Sequence, residues 1–218
     1  MKNLLKCIVA LCVLLSLGMS ATITCDSDED CFYIPDGLVE SGEYFPTLII
    51  LSCTGATAED IDSILYIADS LHMIFATCHK SKNHRDIFLN DADIIKLYEK
   101  LIRNYPVDMS QVFIYGFSGQ GVQALLELFY NPYNFRGVIS VCAHRGVMSV
   151  VKWQELSNKF IFLISREEDW NLEDNFYMHN LFQLNGIHDT LVITPGEHSP
   201  ATHRELYNAC FWLLHKND

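Results

Sequence analysis

Residues 111–130 read QVFIYGFSGQGVQALLELFY. An apolar strand over 111–115 runs into Gly116, Phe117 and Ser118, and Gly119 and Gly121 lead into a helix predicted over 119–130. A turn this tight forces its central residue into strained backbone and exposes its side chain at the strand's C-terminal end. Ser118 is that residue. The helix N-terminus directs backbone N–H groups at the same spot, which favours developing negative charge and supplies half of an oxyanion hole. The pattern G-x-S-x-G would place glycine at 120, where this chain has Gln120. The competing reading is a glycine-rich strand–helix turn with an incidental serine.

Working outward, strands alternate with helices. Strands are predicted over 31–34, 47–52, 73–77, 111–115, 137–142, 160–165 and 190–194, several of them unbroken apolar runs suited to burial on both faces. Helices are predicted over 58–71, opened by Thr57; 92–105, opened by Asn90 or Asp91 and closed before Pro106; 119–130; 173–184; and 203–216. Thr202 with Glu205 forms a capping box ahead of the last. Repeating βα units imply an α/β domain with a mostly parallel sheet and helices on both faces. Only a short helix, 147–156, fits between the strands ending at 142 and starting at 160, so no large cap is expected.

A serine nucleophile needs a base, and the base needs an orienting acid. The loop after strand 160–165 carries Glu167, Glu168 and Asp169; Asp169, shortest and leading into Trp170 and Asn171, is the leading candidate, and a solvated acidic loop is the alternative. The loop after the last strand carries His198 between Gly196 and Pro200, a setting that favours function. His203, the nearest competitor, falls in the first turn of the final helix. No further ligands join these two histidines, so no metal is expected. In a parallel sheet the C-terminal ends of strands converge on one crevice, which would gather Ser118, Asp169 and His198. A second oxyanion donor would be the backbone N–H of Thr54 or Cys53, after strand 47–52.

These features together resemble the α/β-hydrolase superfamily, and among its members the small, lidless esterase- and depolymerase-like enzymes. The resemblance spans about residues 32–215 and rests on IPDG at 34–37, SCTG at 52–55, NYPVD at 104–108, GFSGQ at 116–120, DWN at 169–171 and PGEH at 195–198. It implies Ser118 as nucleophile, Asp169 as acid, His198 as base, and Thr54 and Gly119 as oxyanion donors. It departs from the family at Ser52 and Cys53, which replace His-Gly, and at Gln120, which replaces glycine.

Length and composition fit one sizeable domain: 218 residues, 50% hydrophobic and 19% charged. With 15 Lys+Arg against 27 Asp+Glu, the net charge of −12 argues against nucleic-acid binding. Lys2 and Lys6 precede an apolar run over 7–17, and Gly18 and Ser20 sit at −3 and −1 of a cut before Ala21. This predicts residues 1–20 as a signal peptide of a secreted or periplasmic protein; an uncleaved anchor is the alternative. No other stretch is long and apolar enough to span a membrane. The division is then 1–20 signal, 21–31 acidic segment and 32–218 hydrolase domain. Cys25 and Cys31 are the favoured disulfide pair in an exported chain. The run Asp26-x-Asp28-x-Asp30 has calcium-like spacing but lacks the EF-hand glycine and glutamate, so a solvated linker is expected. No dinucleotide or P-loop pattern is present, so no cofactor is implied. The expected chemistry is acyl transfer from an ester to water at an open site, suited to an ester on a larger or polymer-attached group. Trp153 and Trp170 either line the crevice or pack at its rim. A catalytically degenerate binding protein and a prolyl-oligopeptidase-type peptidase are the alternatives; oligomeric state is not legible.

Overall fold

In a computed structural model, residues 22–216 are described. Eight strands form one sheet: β1 (Thr24–Cys25), β2 (Cys31–Tyr33), β3 (Phe45–Ile50), β4 (Ile74–Thr77), β5 (Val107–Phe117), β6 (Gly137–Val141), β7 (Phe160–Arg166) and β8 (His188–Thr194). Their spatial order is β1-β2-β4-β3-β5-β6-β7-β8. Only the β1–β2 and β2–β4 pairs are antiparallel; the rest of the sheet is parallel. The helices are α1 (Leu38–Ser41), α2 (Ala58–Asp62), α3 (Leu65–Leu71), α4 (Ile87–Asn104), α5 (Gly119–Tyr130), α6 (Leu172–Leu184) and α7 (His203–His215). The signal peptide expected over residues 1–20 lies outside the described residues. Among the described residues no helix is long and apolar enough to cross a membrane.

Alternation along the strands supplies two cores, one per face. Ile49, Leu51, Val112 and Ile114 pack with Ile94 and Leu97 of α4, Leu125 and Phe129 of α5 and Phe182 of α6. Leu48, Ile50 and Phe113 pack with Ile61 of α2, Ile67 of α3 and Leu206 and Leu213 of α7. The seven predicted strands are all present, and the capping box of Thr202 and Glu205 opens α7.

Three helix expectations are corrected. The helix expected over 58–71 is two helices, because Ile64 leaves helical geometry (φ −127°, ψ 14°) between α2 and α3. Helix α4 starts at Ile87 rather than 92, because Asp86 caps it by accepting the N–H groups of Phe88 and Leu89. Exposed Ile87, Phe88 and Leu89 break the apolar periodicity there, so the pattern hides the true start. The segment expected as a helix over 147–156 is two 3₁₀ turns, Met148–Val150 and Trp153–Leu156, around extended Val151.

The acidic run is not a solvated linker. A disulfide joins Cys25 to Cys31, and β1 folds back on β2 at the sheet edge. Asp28 pairs with Lys80 (2.6 Å) and Lys96 (2.8 Å), and Lys100 pairs with Asp30 (2.9 Å) and Asp26. Lysines of α4 and of the β4–α4 loop thus neutralise the carboxylates whose spacing suggested a cation site.

A buried polar ladder runs along α5 through Gln120, Gln123 and Glu127, spaced to share one face. Ser81 Oγ donates to Gln120 Oε1 (2.7 Å), Asn90 Nδ2 reaches Gln123 Oε1 (3.4 Å), and Gln123 Nε2 donates to Glu127 Oε1 (2.7 Å). Asn131 Nδ2 donates to Glu127 Oε2 (3.1 Å). Burial, reinforced by Asp91, pushes the Glu127 carboxyl up to about 8. A raised acid favours the folded state while protonated, and that contribution is lost as pH rises from the unfolded value near 4.5 through about 8. Glu127→Gln is therefore expected to gain stability over wild type as pH rises. Thermal melts at pH 5 and pH 9 check this; the melting-temperature gap between the two proteins should widen by about 3 °C or more at the higher pH.

Candidate active site

The turn between β5 and α5 has the strained form expected of it. Ser118 sits at φ 57°, ψ −124°, a region that favours glycine. Gly116 permits this, since a Cβ there would lie 2.1 Å from the Gln120 carbonyl oxygen. Gly121 faces β6 closely: a Cβ would meet Ala143 Cβ, Ser140 Oγ and Gly116 O, each at 3.1 Å. Gln120 does not crowd this crossing. Its side chain is 1% exposed and turns to the β4–α4 loop, where it accepts from Ser81 and approaches Asn83 Oδ1 (3.5 Å). The departure from G-x-S-x-G thus packs a loop against the turn and leaves the turn intact.

Three loops at the C-terminal ends of β5, β7 and β8 bring Ser118, Asp169 and His198 together. His198 Nε2 lies 2.9 Å from Ser118 Oγ, and His198 Nδ1 lies 2.9 Å from Asp169 Oδ1. With Asp169 ionised, Nδ1–H donates to the carboxylate, leaving Nε2 to accept the serine hydroxyl. Burial pushes the Asp169 carboxyl up, but the Cys142 thiol, the Asn171 N–H and His198 outweigh it and hold the group below the usual carboxylate range. Glu167 and Glu168 are exposed and meet the base loop only through their N–H groups, which donate to Thr194 O and Gly196 O (both 3.0 Å). His203 is exposed at the start of α7 and lines a neighbouring cleft. Cys142, Asp169 and His198 are close enough to share a metal ion, yet the carboxylate and imidazole already bond each other.

Thr54 is exposed on the β3–α2 loop. Among the described residues neither the Thr54 nor the Gly119 N–H has a protein acceptor. Cys53 donates its thiol to Phe117 O (3.3 Å), and burial pushes that thiol up, which disfavours the thiolate. A cleft of about 330 Å³ opens beside this loop, lined by Cys53, Ile64, Tyr115, Phe117, Ala201 and Leu206 among others.

Three supporting residues escaped the sequence reading. Asn83 lies over Gly119, where a Cβ would fall 2.5 Å from its Oδ1, and its N–H donates to Cys53 O (3.0 Å). Cys142, buried at φ 51°, accepts at its carbonyl from Asn171 Nδ2 (2.9 Å). Arg166, 3% exposed, bonds Ser199 Oγ (3.0 Å), Thr194 Oγ1 (2.8 Å), Pro200 O (2.6 Å) and both oxygens of Glu205 (3.0 Å each). It ties the end of β7 to the loop that carries His198. No local pattern marks any of the three, because each acts on a distant segment.

No protein-family model matches the sequence, and no curated protein matches it. Solved structures do. FphF, a fluorophosphonate-binding serine hydrolase of Staphylococcus aureus solved with substrate bound, superposes with TM-score 0.67 at 11% identity, covering 90% of this chain and 98% of that one. A truncated carbohydrate esterase from gut microbiota gives 0.66 at 13% identity, covering 92% and 99%. Dipeptidyl peptidase 4 of Porphyromonas gingivalis gives 0.63 at 16% identity, covering 89% of this chain and 35% of that one. The sheet order, the absence of a cap among the described residues and these likenesses establish an α/β-hydrolase fold.

Arg166→Met would leave the Glu205 carboxylate with its Thr194 and Thr202 hydrogen bonds but without its cation. It should cost about 1–3 kcal/mol of stability, and Arg166→Met with Glu205→Gln, which removes the charge and keeps the cap, should recover part of that. Urea unfolding of the two variants measures both effects.

Proposed function

We propose that this protein is an exported serine hydrolase that cleaves carboxylic esters through an acyl-enzyme on Ser118. The observation that carries the reading is the continuous hydrogen-bonded chain from Asp169 through His198 to Ser118. In this mechanism His198 Nε2 takes the Ser118 proton as Oγ attacks the ester carbonyl. Gly119 and Thr54 N–H groups receive the oxyanion, and His198 then returns the proton to the departing alcohol. Water, deprotonated by the same base, attacks the acyl-enzyme and frees the acid. Asp169 stays ionised throughout and stabilises the imidazolium as it forms. Phe117, 4.9 Å from the His198 ring between centroids, packs beside the base.

The likeness to serine hydrolases and a carbohydrate esterase supports the ester reading. The likeness to a dipeptidyl peptidase covers about a third of that enzyme, and no peptide-specific pocket is legible here. Export is supported by the Cys25–Cys31 disulfide and by the charged-then-apolar pattern of residues 1–20. The packing of Gln120 away from the serine speaks for an active enzyme over a degenerate binding protein.

Fluorophosphonate labelling of the purified protein tests this reading beside Ser118→Ala and His198→Ala. Labelling of wild type that disappears in both variants is expected, together with ester turnover that falls by about a thousandfold or more in each. A well-folded wild type that resists the probe would contradict the proposal.

A further inference from the structure

Trp170 is 75% exposed, unusual for the largest side chain in a folded protein, yet it is not loosely placed. Its indole stacks on the His198 imidazole, with ring centroids 3.8 Å apart and planes 21° from parallel. The residues on either side are pinned. Asp169 bonds His198, and Asn171 donates its N–H to Asp169 Oδ1 (2.9 Å) and its Nδ2 to the Cys142 carbonyl (2.9 Å). Trp153, by contrast, is packed against the core, edge-on to Phe182. One face of Trp170 is therefore committed to the base, and the other is held open to solvent.

Position decides which half of a substrate would meet that face. In the mechanism above, His198 hands its proton to the departing alcohol, so the alcohol portion leaves alongside the imidazole. Trp170, stacked on the imidazole, extends it outward toward solvent. It does not line the 330 Å³ cleft beside Cys53 and Phe117. Resting on the ester-hydrolase reading, we propose that Trp170 is the platform for the alcohol half of the substrate, and that this half is a neutral sugar ring. A sugar lays its C–H face on an indole while its hydroxyls stay in water, so a single open aromatic face suits it. A flat hydrocarbon alcohol would need a second apolar wall, which this open position lacks. The exposed charged side chains on the two loops that meet at Trp170 are the carboxylates Glu167, Glu168 and Glu197; Arg145, on the loop after β6, is paired with Asp174. The three glutamates accept hydrogen bonds from hydroxyls and repel anionic groups. The Glu168 N–H bond to Gly196 O joins those two loops beside the tryptophan.

The test needs no knowledge of the acyl group. Fluorophosphonate labelling of Ser118 is timed with and without a mixture of neutral xylo-, cello- and manno-oligosaccharides, in wild type, Trp170→Ala and Trp170→Tyr. An oligosaccharide on the platform blocks the leaving-group side, so it should slow wild-type labelling about threefold or more once its concentration exceeds about twice its dissociation constant. Trp170→Ala should abolish the slowing and Trp170→Tyr should retain it. Wild type that labels equally fast with and without sugar overturns the platform while leaving the hydrolase intact. Equal protection in wild type and Trp170→Ala overturns the role of the tryptophan. A wild type that never labels overturns the ester-hydrolase reading itself.

Discussion

Everything at the candidate site hangs on one strained residue. Ser118 is held at positive φ because the end of β5 and the start of α5 approach too closely for any relaxed turn. Strain of this kind costs on the order of 1–3 kcal/mol and survives only where its surroundings over-determine it. Here they do. Ser118 N–H donates to Val141 O (2.8 Å), Ser140 Oγ donates to Gly121 O (3.1 Å), and the helix continues from the Ser118 carbonyl. The result places a hydroxyl above the sheet with helix N–H groups behind it. The parallel strand ends then bring an imidazole and a carboxylate to that hydroxyl.

The other two members are secured by different means. Asp169 is fixed by donors converging on its carboxylate, and His198 by a loop clamped to Arg166. In the Arg166–Glu205 pair the guanidinium is buried and the carboxylate is 14% exposed, and a pair so far removed from water is weak evidence for net stability. Its value here is geometric: the guanidinium bonds residues 194, 199, 200 and 205 at once, so the segment flanking His198 has little freedom. The ladder through Gln120, Gln123 and Glu127 does the same for the β4–α4 loop, and Asn83 carries that order to the β3–α2 loop.

Much of this was legible in the sequence because it is local. The strand-turn-helix at 111–130, the apolar strands and the Thr202–Glu205 box each depend on neighbours a few residues apart. Side-chain length and context favour Asp169 over Glu167 and Glu168 in the sequence, and Asp169 is the carboxylate hydrogen-bonded to the His198 imidazole. What stayed hidden depends on segments far apart in the chain. The pairing of Asp26, Asp28 and Asp30 with lysines some 50–75 residues onward cannot be read from an acidic run. Gln120 reads only as a departure from the glycine pattern, because its partner, Ser81, lies 39 residues earlier. The start of α4 was misplaced because its first residues are exposed and apolar, which contradicts the periodicity a helix usually shows.

The most direct measurement is a crystal structure of the protein after reaction with a fluorophosphonate. The expected result is a covalent bond from phosphorus to Ser118 Oγ, with the phosphoryl oxygen within hydrogen-bond reach of the Gly119 and Thr54 N–H groups. His198 would remain between Ser118 and Asp169. A phosphonyl group on any other residue, or an oxygen turned away from both N–H groups, would contradict the assignment of this turn as the seat of catalysis.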